Sequence, residues 1–317
     1  MCRIADAVTP DRTLYGVALM LAFCVLAPVL DTCAKLATAT IPVGQITTAR
    51  FVVQSALMAP IAGLMGLDWR VSARDLRLLT LRAVLLIIST LTFVAATAVM
   101  PIADALAIVF IEPFILLLLG HLIFGNPIGP RRIAASIVGF VGVLLVIQPS
   151  IASYGTVALL PMGTALFFAL YMLITQAIGE TLHPVVQQLH TSLIGAAICV
   201  PVMIWANGLG LPGLDPVMPQ DWAWVWLFGV GFWAAASHMC MTVALKFAPA
   251  STMAPLHYLE IVTAVVLGLL VFGDFPNALT WAGIVVIIAA GLYIIHRERS
   301  AATPSLPRPP QGRPAAK

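Results

Sequence analysis

PIADALAIVFIEPFILLLLGHLIFG, residues 101–125, and PASTMAPLHYLEIVTAVVLGLLVFG, residues 249–273, are two versions of one pattern, 148 positions apart with no gap. Pro101 aligns with Pro249, Glu112 with Glu260, Gly120 with Gly268, and Phe124-Gly125 with Phe272-Gly273; the match extends to Leu144 and Leu292. Each copy sets one carboxylate in the middle of a run otherwise apolar enough to cross a bilayer. A repeated membrane unit with a charge at its centre is the sequence pattern of a secondary transporter.

Composition agrees. The chain is 61% hydrophobic and 9% charged, with a mean hydropathy of +1.03. A water-soluble domain carries about 25% charged residues, so this chain could not cover its surface in water. Cys2, Cys24, Cys33, Cys199 and Cys240 are scattered without metal-site spacing and read as small packing residues rather than a disulfide framework. Arg3 and Arg12 before the apolar stretch 14–30 imitate a signal peptide, but the run is too long and lacks a small-x-small cleavage site. It reads as a first, retained helix.

Apolar runs between polar or Pro/Gly breaks predict ten spans, at 14–37, 43–65, 76–98, 102–123, 131–148, 155–177, 184–206, 221–244, 249–271 and 277–296. Numbering the connections alternately puts 14 of the 16 basic residues on one side: Arg3, Arg12, Arg70, Arg74, Arg77, Arg82, Arg131, Arg132, Lys246 and the five of the tail. Lys35 and Arg50 fall within helices instead. The bias predicts an inner-membrane protein with both termini in the cytoplasm, and Trp222, Trp224 and Trp226 in an outer aromatic belt. Five helices per half is an odd number, so the second half is flipped relative to the first. The predicted fold is all-α integral membrane: residues 1–148 and 149–296 as two inverted five-helix repeats, and 297–317, rich in proline, as a disordered cytoplasmic tail.

Polar groups inside these spans are the candidate site. Glu112 and Glu260 lie near the midpoints of helices four and nine, where an acidic residue costs about 2.5–3.5 kcal/mol unless it faces protein or a wet cavity. Two roles fit: coupling protons to substrate or binding a cationic group, or locking helices through backbone hydrogen bonds where Pro113 removes a donor. Asp31 and Lys35, four apart on helix one, are expected to pair. Arg50, two turns into helix two, is either an ion-pair partner of Asp31, Asp104 or Glu112, or a clasp for a substrate carboxylate or phosphate. His257 shares a face with Glu260, with Tyr258 adjacent; a His–Glu pair could relay protons, and a satisfied core histidine is the alternative. His190 and His238 read as structural, His121 and His183 as interfacial, and Asp104 as lining an entrance or contacting water.

No Gly-x-x-x-x-Gly-Lys-Ser/Thr loop, His-Glu-x-x-His or Gly-x-Ser-x-Gly motif occurs, and basic residues are too dispersed for a nucleic-acid surface. The sequence therefore predicts no catalytic residues, metal or cofactor. The partners it predicts are a small-molecule substrate, the lipid bilayer and protons, with the chain a monomer or homodimer. An integral-membrane enzyme and a non-transporting scaffold are the rival readings.

Glu112-Pro113, the apolar stretch after it, Gly125-Asn126 and the run 133–147 resemble the EamA-type repeat of the drug/metabolite transporter superfamily. The second copy runs from Leu259-Glu260 through Gly273-Asp274 to Trp281 and Ile295. The resemblance covers 14–296 and implies ten helices in two inverted halves, with a cavity lined mainly by the first four helices of each. It also implies cargo such as amino acids, nucleotide-derived metabolites, vitamins or cationic drugs. Family members with an acidic residue late in helix one, as Asp31 is here, include proposed S-adenosylmethionine and riboflavin carriers. The chain departs from the family pattern at Gly125-Asn126 and Gly273-Asp274, where Gly-Glu is usual, and at Glu260-Ile261, where the first copy has Glu-Pro.

Overall fold

A computed structural model describes residues 10–124, 130–179, 181–247 and 254–302, and every regular element among them is helical. The first half comprises α1 (Pro10–Ala37), α2 (Val43–Leu64), α3 (Ala73–Thr97), α4 (Ile102–Val109), α5 (Glu112–Phe124) and α6 (Pro130–Tyr154). The second comprises a 3₁₀ turn (Gly155–Leu159), α7 (Leu160–Gly179), α8 (Pro184–Ala206), α9 (Ala223–Phe247), a second 3₁₀ turn (Ala254–Leu259), α10 (Glu260–Leu267), a π turn (Gly268–Phe272) and α11 (Ala278–Ala302).

Local chemistry sets several ends. Ser72 caps α3 by accepting from the Asp75 amide at 3.0 Å while its hydroxyl donates to the Asp75 carboxylate at 2.7 Å. Asn277 caps α11 in the same way, accepting from the amides of Leu279 and Thr280. Gly273 ends the π turn at φ 71°, which a residue with a Cβ adopts only under strain, and its carboxylate neighbour Asp274 is turned back toward α1.

The two copies of the quoted pattern do not form continuous helices. Helix four is interrupted at Phe110–Ile111, so that Glu112 opens α5; the described part of helix nine opens with the 3₁₀ turn, and Glu260 opens α10. Pro113 has no amide hydrogen for the carbonyl of Val109, which explains the first break. In the second copy a 3₁₀ turn that contains Pro255 passes directly into α10 at Glu260.

Five stretches among the described residues are long and apolar enough to cross a bilayer: Leu14–Ala37, Ala73–Thr97, Ile137–Gly179, Pro184–Ala206 and Ala223–Phe247. The third runs through two predicted spans, 131–148 and 155–177, because α6 continues into the 3₁₀ turn and α7 with little polar sequence between them. The last helix continues to Ala302, past the boundary predicted at 297; residues 303–317 lie outside the described part, as do Gly125 and Asn126.

Polarity is arranged inside out. Leu64 is 89% and Leu270 75% exposed on the perimeter, whereas Gln54, Gln187, Gln188, Thr191, Ser192 and Ser237 are wholly buried between helices. Gln54 Nε2 donates to Gln188 Oε1 at 3.1 Å, and Gln188 Nε2 donates to the His238 carbonyl and Thr242 Oγ1, both at 2.8 Å. These bonds tie α2, α8 and α9 together, each contributing about 0.6 kcal/mol in a lipid setting. Packing is pairwise: α1 lies on α9, α3 on α7, α2 on α8 and α6 on α11. Close approach at two crossings needs missing side chains, since a Cβ on Gly283 would sit 2.7 Å from the Gly142 carbonyl and one on Gly231 2.3 Å from Val53.

Candidate functional site

Between the halves lies a cavity with about 750 Å³ of empty space, its mouth included. Its wall draws on α1, α2, α3, α4, α5, α7, α9, α10 and the 3₁₀ turn before α10; among the described residues α6, α8 and α11 give it nothing. Phe23, Phe93, Phe110 and Phe168 supply aromatic surface, and Asp31, Arg50, Ser89, Thr90, Glu112, Thr164, His238, His257 and Glu260 supply polar groups. A largely apolar concavity with a few convergent polar groups is what a small-molecule site looks like.

The acidic side of the cavity joins both halves. Glu112 Oε2 accepts from His257 Nδ1 at 3.0 Å, and both side chains are almost wholly buried. Glu112 Oε1 and His257 Nε2 have no hydrogen-bond partner among the described residues. The His257 ring stacks on Phe23 of α1, with centroids 5.3 Å apart. Glu260 and Asp31 lie on the same wall. Three carboxylates share one low-dielectric space, which like charges occupy together only if protons or cations offset them.

The basic side is a chain of hydrogen bonds. Arg50 is 5% exposed; its guanidinium donates to Thr90 Oγ1 and, through Nη2, contacts His238 Nε2 at 2.6 Å. His238 Nδ1 meets Tyr171 Oη at 3.1 Å, and Arg82 Nη2 donates to the same oxygen at 2.8 Å. Arg82 is wholly buried and also donates to Thr175 Oγ1, the Gln187 carbonyl and Thr191 Oγ1, with its guanidinium 4.5 Å above the Tyr171 ring. Gly231 lets α9 come within reach of the Arg50 backbone, where an added Cβ would sit 3.2 Å from its carbonyl.

Of the residues singled out in the sequence, Glu112, Glu260, Arg50, Asp31 and His257 come together on the cavity wall. Tyr258 stands behind it, edge-on to Phe110 at 5.2 Å, its hydroxyl unpartnered among the described residues. Asp104 is buried away from the cavity, beside Lys35 and Asp274, rather than at a wet entrance.

Several expectations are corrected. Lys35 does not pair with Asp31. Its ammonium reaches Asp274 Oδ2 at 2.9 Å and the Met100 carbonyl at 3.2 Å, because it sits in the last turn of α1 where the chain after Gly273 returns. Asp31 instead faces the cavity and the charge of Arg50. His257 bonds to Glu112 of the other half, not to Glu260. His238, expected to be structural, lines the cavity. Arg82, counted with the loop charges, is nine residues inside α3. His190 is structural as expected, with Nδ1 2.9 Å from the Val186 carbonyl, and His183 caps α8. The His121 side chain lies outside the described part. Thr90, Phe23 and Phe168 carried no sequence signal. Tyr171 and His238 could have been sought as partners once two buried arginines were recognised.

Comparison with known proteins follows from this geometry. The profile of the EamA-like transporter family matches residues 14–148 and again 155–296. A riboflavin transporter of Rhizobium johnstonii is 30% identical over 68% of this chain and 69% of its own length. A riboflavin transporter of Vibrio cholerae is 26% identical over 62% of this chain and 64% of its own. An S-adenosylmethionine uptake transporter of Rickettsia prowazekii is 24% identical over 69% and 71%. A crystal structure described only as that of a protein superposes with a TM-score of 0.67 over 92% of this chain and 99% of its own, at 16% identity, which supports the fold alone.

Proposed function

The chain belongs to the EamA-like transporter family, and from that premise we propose that it carries a small polar or amphipathic metabolite across the inner membrane by alternating access. One observation carries the reading: Glu112 of the first half and His257 of the second bond to each other at 3.0 Å on the wall of a cavity that both halves enclose. A contact of this kind must be remade when the halves move, so cargo, protons and conformation can bear on the same groups.

Ten spans in two inverted repeats, 1–148 and 149–296, fit the packing. If helices one to five correspond to six to ten, the α1–α9 contact becomes the α7–α3 contact, while α2–α8 and α6–α11 map onto themselves. A pseudo-two-fold axis in the membrane plane has that signature. Both repeat-related glutamates open an α-helical segment after backbone of another winding, the arrangement in which helix ends and unwound backbone face cargo at the bilayer midplane. Both termini, with the tail 297–317, are assigned to the cytoplasm by the positive-inside bias, which survives the removal of Arg82 from the count.

Riboflavin and S-adenosylmethionine, the cargoes named for the relatives, are the first candidates. Four phenylalanines can hold a flat ring, and three carboxylates can accept a cationic group or exchange protons. The cavity is complete within one chain, whether it works alone or as a homodimer. Chemistry on the cargo is not part of this reading: the chain is a carrier rather than an enzyme.

Uptake of radiolabelled riboflavin and S-adenosylmethionine into proteoliposomes, with and without a pH gradient, tests it. Saturable accumulation of either, lost in the Glu112→Gln/Glu260→Gln double variant, is the expected result. Failure of both, together with no thermal stabilisation by any of a panel of amino acids, nucleosides and flavins, would overturn it.

A further inference from the structure

The hydrogen bonds from Arg50 to Arg82 admit one assignment of protons. A guanidinium only donates. The 2.6 Å contact therefore makes His238 Nε2 an acceptor, so the imidazole proton is on Nδ1 and is donated to Tyr171 Oη. That oxygen accepts from Arg82 Nη2 as well, so with both contacts taken up by acceptance its own proton points away from Nδ1. A second proton on His238 would set N–H against N–H at 2.6 Å. We infer that His238 is held as a neutral, Nδ1-protonated imidazole whose role is to position Arg50 on the cavity wall, with Tyr171 and Arg82 fixing its tautomer from behind.

The surroundings offer His238 no competing partner. Arg50 reaches it from α2, Tyr171 from α7, and Arg82 from α3 through Tyr171. From α1 and α7 come the ring edges of Phe23 and Phe168, at 6.0 and 6.1 Å. His257, on the 3₁₀ turn, lines the same cavity. No carboxylate among the described residues bonds to it. Arg50 is thus presented toward Asp31 by a neutral acceptor that leaves its positive charge intact, unlike a carboxylate, which would neutralise it. Protonated His238 and docked Arg50 exclude each other, so a proton arriving on His238 would free Arg50 into the cavity.

The test reads the tautomer directly. With ¹⁵N-histidine-labelled protein in nanodiscs, and His238 identified by its loss in His238→Gln, the nitrogen shifts report where the proton sits. The neutral Nδ1–H form is expected throughout pH 5.5 to 8. An Nε2–H form, or titration to imidazolium within that window, would overturn the inference without any cargo being needed. In Arg50→Leu the tautomer should become mixed or titrate; an unchanged spectrum counts against it.

A transport arm rests on the carrier reading above and uses radiolabelled riboflavin and S-adenosylmethionine. His238→Leu should reduce uptake about 30-fold by leaving Arg50 without its acceptor, and His238→Gln, which can accept and donate at the same two points, should recover most of that. The Arg50→Leu/His238→Leu double variant should be no worse than Arg50→Leu alone. Losses that multiply, or a Gln variant as poor as the Leu variant, would refute the positioning role. If wild-type protein moves neither solute and no member of the ligand panel stabilises it, the carrier reading fails while the nitrogen spectrum still decides the tautomer.

Discussion

Glu112 and Glu260 occupy the same position in the repeat and open the same kind of helix segment, yet their surroundings differ. Glu112 has a histidine donor, contributed by the opposite half. The position equivalent to His257 in the first half is Val109, so the repeat gives Glu260 no imidazole to match the one that bonds Glu112. Next to them, Phe110 and Tyr258 are also repeat-related, and they touch edge-on across the interface at 5.2 Å. Duplication supplied a symmetric frame; single substitutions gave its two acids separate duties. One is tied into the contact between the halves; for the other, on the cavity wall, we propose a role toward cargo or protons.

The sharpest break of this comparison is Glu260→Gln, which should lower riboflavin or S-adenosylmethionine uptake about 100-fold, equivalent to about 2.7 kcal/mol of transition-state stabilisation. Its thermal stability should be unchanged or higher, because a bare buried carboxylate is removed. Glu112→Gln should cost uptake about 10-fold and should also lower the unfolding midpoint, since it leaves His257 without its charge-assisted partner. Combining it with His257→Gln should add little, as expected when two groups act through one bond. Equal, multiplicative losses in transport and stability at both glutamates would mean that the two positions are equivalent after all.

Val109→His restores the missing symmetry by giving Glu260 the donor that Glu112 already has. Uptake should fall about three-fold, and the difference between the two Gln variants should narrow. The smallest effect belongs to Tyr258→Phe, which makes the Phe110 contact symmetric. Its buried hydroxyl has no partner among the described residues, so the change should leave stability within about 1 kcal/mol, on the stabilising side, and uptake unaltered. A large loss of uptake would give the hydroxyl a role that this comparison denies it.

Hydrophobic runs and the duplicated segment made the helical membrane architecture legible, and intramembrane charges pointed to five residues that meet in one cavity. Partner choice was not legible. Helical spacing pairs Lys35 with Asp31, but the end of α1 brings a carbonyl and Asp274 closer to the ammonium, a contact from 239 residues away. Spacing also puts His257 on the face of Glu260, and both do line the cavity. The bond nevertheless goes to Glu112, which only the docking of the two halves brings near. Pro113 stands at the interruption of helix four, and Pro255 stands inside the 3₁₀ turn before Glu260, but neither shows from sequence alone which winding results. Arg82 was misread because an arginine near a span end ordinarily reaches water, and its cage of Tyr171, Thr175 and Thr191 comes from two other helices.

All of this depends on the halves facing opposite ways, so that repeat-related acids approach one cavity from opposing directions. Single cysteines at Thr156, at Asp221 and in the tail after Ala302, in a background free of native cysteines, can be labelled in intact cells with a membrane-impermeant maleimide. Thr156→Cys and Asp221→Cys should react from outside, and the tail cysteine only after the membrane is opened. Labelling of Thr156→Cys and the tail cysteine from the same side would contradict the inverted arrangement.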